Sequence, residues 1–133
     1  MKQAFQFNLI RFQPDAETEE FAVIGAVTYS ASTHQLAYRL LEKDQYKRVQ
    51  DFFSPTDERV LPSALQMIES ELQRVQKLLP EIKQPDALYA ELIREREDII
   101  RFASTSIMSG EQIQDAADEL FKRYVQRDYS LVA

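Results

Sequence analysis

Residues Phe21 to Tyr29 read FAVIGAVTY, a run almost without polar side chains. A strand with one wet face alternates apolar with polar. A run like this one needs cover on both faces, as a central strand has, and its valine, isoleucine and tyrosine favour extended backbone. Upstream, Ala4 to Phe12 does alternate, with Phe5, Phe7 and Leu9 on one side and Gln6, Asn8 and Ile10 on the other. That is the period of a half-buried strand. A short acidic stretch beginning at Pro14 joins the two runs, so Leu9 to Tyr29 outlines a β-hairpin. After a polar turn over Ser30 to Thr33, Leu36, Tyr38 and Leu40 alternate with Ala37, Arg39 and Leu41 and predict a third strand. Short connections make the three an antiparallel meander.

The rhythm changes after Glu42. Asp44 to Phe53 predicts a short helix with Tyr46, Val49, Phe52 and Phe53 inward, ended by Ser54-Pro55, because a residue before proline avoids the helical region. Pro62 suits the first turn of a longer helix, in which Leu65, Ile68, Leu72, Val75 and Leu79 form a core-facing stripe. Pro80 ends it. Pro85 opens a third helix with Leu88 and Leu92 inward. Ile99 to Ser106 (IIRFASTS) reads as a fourth strand. Ser109, with Gln112 three residues on, has the form of a capping box. It predicts a last helix whose stripe runs through Ile113, Ala116, Ala117, Leu120, Phe121, Tyr124 and Val125. The order β-β-β-α-α-α-β-α predicts one α+β domain over residues 1–133. Its antiparallel sheet of three to four strands is packed on one side by about four helices.

Composition removes several functions. The chain has no cysteine, which excludes disulfides, thiolate metal sites and a cysteine nucleophile. Its net charge is −6, and Arg94, Arg96 and Arg101 are interleaved with Glu91, Glu95, Glu97 and Asp98, a pattern of mutual neutralisation that argues against nucleic-acid binding. No stretch approaches the ~20 apolar residues that span a bilayer, and FQFNLIRF after Lys2 lacks the unbroken apolar run of a secretory signal. A cytoplasmic location is expected.

The segments LIRFQP and EEFAVIGAV carry a resemblance. Through Arg11, Phe12, Pro14, Glu20, Phe21, Ile24, Gly25 and Val27, the chain resembles the bacterial and phage family catalogued as domain of unknown function 3037. Its members open with an aromatic strand ending in Arg-Tyr, then proline, then Glu-Phe-Val-Asn-Ile-Gly-Val. IIRFASTS and LFKRYV are similar to the family's ending, so the likeness covers most of the chain. The family's asparagine is Val23 here, and a basic residue common in its acidic loop is absent. Any role of that asparagine is therefore lost in this chain. The resemblance implies no activity. Members are often encoded beside a HipA-like kinase, which implies partner binding in a toxin–antitoxin or phage-conflict setting.

The chemistry-bearing residues are few. Arg11 and Glu20 would lie on adjoining strands and could pair across the hairpin, an interaction worth about 0.2–1 kcal/mol if exposed. Asp15, Glu17, Glu19 and Glu20 make an acidic loop. It lacks the glycine that calcium loops use for their sharp turn, so it reads as a solvated or partner-contacting surface. Gly25 inside an apolar strand marks a bulge, a close backbone approach or tight helix packing. His34, the only histidine, sits in a turn and reads as a surface residue, since neither a zinc site nor a triad can be built from it alone. Glu95 and Asp98 could form an acid–base pair only if buried. Pro14, Gly25 and Phe121 read as structural.

No catalytic residue, metal ligand or cofactor is expected. The reading that follows is a non-enzymatic protein-interaction module with Arg11, Asp15, Glu17, Glu19 and Glu20 as candidate partner-binding residues and a kinase-like or defence component as partner. Homodimerisation through exposed strand edges is compatible with it. One alternative is an acidic inhibitor of a nucleic-acid-binding enzyme. The other is a carboxylate–arginine enzyme around Arg11, Glu20 and Arg101, which requires the fourth strand to lie beside the hairpin.

Overall fold

The first alternating segment becomes the hub of the sheet. In a computed structural model that describes residues 2–15, 17–53, 56–94 and 98–126, Gln3–Phe12 forms β1. It pairs antiparallel with β2 (Ala22–Ser30) along one edge and with β4 (Ile100–Phe102) and β5 (Ser106–Gly110) along the other. β3 (Gln35–Leu40) lies outside β2. The class is α+β, as the element order implies, with five strands rather than three or four.

The helices are α1 (Tyr46–Phe52), which follows a 3₁₀ turn at Lys43–Gln45, α2 (Val60–Leu78), α3 (Pro85–Leu92) and α4 (Ile113–Leu120), which continues into a π-helical turn at Phe121–Val125. They do not share one side of the sheet. Tyr38 and Arg39, neighbours on β3, point to opposite faces. The Tyr38 hydroxyl reaches Glu69 on α2, whereas Arg39 pairs with Asp118 on α4 and stacks over Phe121. Thr28 of β2 donates to the Ile113 carbonyl at the start of α4. Both faces of β2 are therefore covered, and Ile24 to Ser30 is buried throughout, as its unbroken apolar run requires.

The main core joins Ile10, Phe12, Val27 and Tyr29 of the sheet to the α2 stripe of Leu65, Ile68, Leu72, Val75 and Leu79, to Tyr89 and Leu92 of α3, and to Phe121. The α2 periodicity is thus realised in full. Other positions depart from it. Phe52 and Tyr124 face solvent, because α1 buries Val49 and packs Tyr46 partly against the core on the side away from Phe52, and the π turn rotates the end of the last helix away from its three-four stripe. In α3 the deeply buried residues are Tyr89 and Leu92, with Leu88 only half-buried. Ser109 caps no helix. It lies in β5, paired with Ala4 of β1, and α4 begins at Ile113 with Gln112 as its N-cap residue. The expected helix stop at Ser54-Pro55 lies outside the described residues.

Candidate functional site

The single strand expected at Ile99 to Ser106 is broken, and the break builds a site. Ile10 faces Phe102, but Phe7 faces Ser106, so the register slips by one residue and Ser104 and Thr105 together oppose Asn8. This is a β-bulge, a device that bends one strand and re-aims its side chains. The opposite edge of β1 has a second irregularity between Ile10 and Arg11, where Gly25 and Val23 are successive partners and Ile24 is the extra residue.

Asn8 fastens the bulge. It lies on the core side of β1 with Ile10 and Phe12, and its amide nitrogen donates to the Ala103 carbonyl at 2.9 Å and to Thr105 Oγ1 at 2.8 Å. Its carbonyl oxygen accepts the Tyr89 hydroxyl at 2.5 Å. Tyr89 stacks on Tyr29 with ring centroids 4.5 Å apart, and Tyr29 donates to the Asp86 carboxylate. The chain Asp86–Tyr29–Tyr89–Asn8–Thr105 thus ties α3 to the centre of the sheet. Burial first, and then the Asp86 carboxylate, raises the Tyr29 hydroxyl well above its ordinary pKa. Burial and the neighbouring Tyr29 do the same to Tyr89.

Beside the bulge, Arg11 of β1 stands directly opposite Arg101 of β4. The guanidinium of Arg11 lies 4.2 Å above the Phe21 ring, and its buried Nε has no hydrogen-bond partner among the described residues. Arg101 Nε donates to the Asp98 carbonyl at 3.1 Å. Both arginines line a cleft of about 360 Å³ together with Asn8, Gln13, Ser104 and Thr105.

A second cleft, about 170 Å³, has Phe21 in its wall. Phe21, Phe52 and Tyr124 line it along with Val49, Val125 and Arg48, whose guanidinium donates to the Val125 carbonyl. Phe21 is 42% exposed, Phe52 59% and Tyr124 39%.

The other candidates are placed apart from these clefts or take modest roles. Glu20 makes no ion pair with Arg11. Its backbone N–H donates to Thr18 Oγ1, while Arg11 engages Phe21. Asp15, Glu17, Glu19 and Glu20 are all exposed. Asp15 closes a local turn by accepting from the Glu17 N–H, and Glu19 adopts a positive φ of 59°. Pro14 is half-buried at the loop entrance. Gly25 is a place of close backbone approach, though to a strand rather than a helix: an added Cβ would stand 2.8 Å from the Arg39 carbonyl and 2.7 Å from Leu40 Cδ2. His34 is exposed in its turn with φ 57°. Among the described residues no three His, Asp or Glu side chains gather into a metal-ligand set. Glu95 lies outside the described residues, and Asp98 is exposed with its carboxylate on the Ile99 N–H.

The fourth strand does lie beside the hairpin, so Arg11 and Arg101 converge while Glu20 stays out. Asn8, Tyr89, Tyr29 and Asp86 escaped sequence reasoning. The available signal was Asn8, a polar residue on the same side of the strand as Ile10 and Phe12.

No helix among the described residues is long and apolar enough to cross a membrane. No curated protein and no solved structure matches the chain. The model of the family described as Protein of unknown function (DUF3037) matches residues 7–125, from the middle of β1 to the end of the π-helical turn. By that match, which takes in both clefts and the tyrosine network between α3 and the sheet, the chain belongs to the DUF3037 family.

Proposed function

We propose that this protein is a non-enzymatic interaction module, and that its partner is another protein docked over Phe21, Phe52 and Tyr124. One observation carries the reading: three large aromatic side chains are exposed around a single cleft. Clustered apolar exposure is costly in water unless a partner covers it. Aromatic side chains are also the residues that anchor protein interfaces. The charges around the cleft describe the partner. The exposed carboxylates of Asp15, Glu17, Glu19 and Glu20 precede Phe21 in the chain, and Arg11 stacks on its ring. A partner with an apolar side chain for the cleft, basic groups for the loop and an acidic group toward Arg11 is complementary to this face. The kinase-like component of a toxin–antitoxin or phage-defence system, which the family resemblance implies, is the first partner to try, in the cytoplasm.

The test is differential co-purification from the native host. Tagged wild-type protein should retain a protein that Phe52→Asp loses by at least tenfold, with both chains unfolding at the same temperature. Identical retention by the two would refute docking at this cleft.

A further inference from the structure

We propose that the cleft at the β-bulge is an oxyanion site, which takes the phosphate or carboxylate group of a ligand between Arg11 and Arg101. Electrostatics favours an anion here. Like charges directly opposite one another on a ladder repel, and among the described residues neither arginine has a carboxylate partner. Arg11 is held by the Phe21 ring and Arg101 by a backbone carbonyl, so what positions each among the described residues is not a carboxylate. A cation pair kept in place this way is complementary to an anion between its members, and arginine's planar fork suits oxyanions.

Unused hydrogen-bond donors point the same way. Buried N–H groups are almost always satisfied, yet Arg11 Nε is buried without a partner among the described residues. Asn8 spends both amide hydrogens on Ala103 and Thr105 and its carbonyl oxygen on Tyr89. Because Thr105 Oγ1 accepts from Asn8, its own proton is available to a ligand. Ser104 adds a second exposed hydroxyl. The charged groups lining the cleft among the described residues are arginines, without aspartate or glutamate, in a chain that carries 22 acidic residues. A surplus of donors and positive charge selects an acceptor with negative charge. About 360 Å³ accommodates a small ester or a side chain bearing such a group.

The bulge explains how the site arises. Without the extra residue, Thr105 would sit one place further along the ladder on the other face. Its hydroxyl would then not meet Asn8.

Isothermal titration calorimetry at low ionic strength tests the proposal, with inorganic phosphate in one arm and acetate in the other. Wild-type protein should bind phosphate saturably, and phosphate should raise its melting temperature more than sodium chloride of matched ionic strength. Arg101→Gln and Arg11→Gln should each weaken binding at least tenfold. Arg94→Gln, whose exposed arginine pairs with Glu91 outside the cleft, should bind as wild type. In anion-free buffer, Arg101→Gln should melt no lower than wild type, because the substitution relieves a repulsion. This keeps the test valid if Arg11→Gln fails to fold. Binding of acetate alone with the same arginine dependence would also uphold the site and assign it to a carboxylate. Saturation by neither anion, or equal binding by both glutamine variants and wild type, would overturn it. Phe52→Asp leaves these groups untouched, so the site and the partner-docking reading fail separately.

Discussion

Asn8 illustrates how a polar residue earns a place inside a strand. Its three hydrogen bonds hold the Ala103 carbonyl, the Thr105 hydroxyl and the Tyr89 hydroxyl, so removing its side chain leaves the buried Tyr89 hydroxyl and two part-buried groups without their partner at once. Asn8→Ala should destabilise the fold by about 2–4 kcal/mol, from roughly 1–3 kcal/mol for each group left unpaired, as a lower urea midpoint would show. Gly25→Ala meets a backbone carbonyl that cannot turn aside and should cost about 1–3 kcal/mol by overpacking. Tyr29 and Tyr89 give stability a pH dependence. Both are held protonated above the ordinary tyrosine value of 10.0, whereas in the unfolded chain they ionise near it. The folded state therefore binds more protons at high pH. Stability from these groups is complete below pH 10 and is lost as pH rises toward their raised values. The urea midpoint should fall from pH 10 to 12, and less steeply in a Tyr29→Phe, Tyr89→Phe double variant. Of this chemistry only Arg11 and Arg101 were legible beforehand. The tyrosine network spans residues far apart in sequence, and alternation reports which side a residue faces but not what it meets there.

At the scale of elements, periodicity identified the strands and helices where one face dominates. The stripe from Leu65 to Leu79 holds in the structure, and β1 forms as a strand, but beyond Phe5 its buried side carries Asn8, Ile10 and Phe12, while Phe7 and Leu9 are half-buried. It misplaced boundaries where local signals compete with long-range pairing. Ser109 and Gln112 have the spacing of a helix cap, but Ser106–Gly110 gains more from the unpaired edge of β1, and the helix starts later. The bulge at Ser104 and Thr105 was invisible for the same reason: a one-residue slip is defined only against the partner strand. Phe121, expected as a core residue, is fully buried where the last helix passes into its π turn, beneath the Arg39 guanidinium 4.4 Å from its ring. Phe121→Ala should therefore cost about 3–5 kcal/mol. Calorimetry should show a correspondingly large fall in melting temperature.

At the scale of the molecule, two readings of one sequence pulled apart. Counting elements put every helix on one side of the sheet, whereas the unbroken run from Phe21 to Tyr29 demanded cover on both. The physical demand prevailed, with α2 and α3 on one face and α4 on the other. Charge behaves similarly. A net charge of −6 suggests a negative face as the working surface, yet two arginines stand side by side in a cleft where no described residue contributes a carboxylate. An anion received in that cleft would complete the arrangement of the two arginines. The most direct measurement is a ¹H–¹⁵N NMR titration with inorganic phosphate, following the arginine side-chain Nε–H resonances at constant ionic strength. The Arg11 and Arg101 signals should shift together along one saturating curve while Arg94 stays in place. If Arg11 and Arg101 do not move, or if all arginines drift alike without saturation, the cleft is not an anion site.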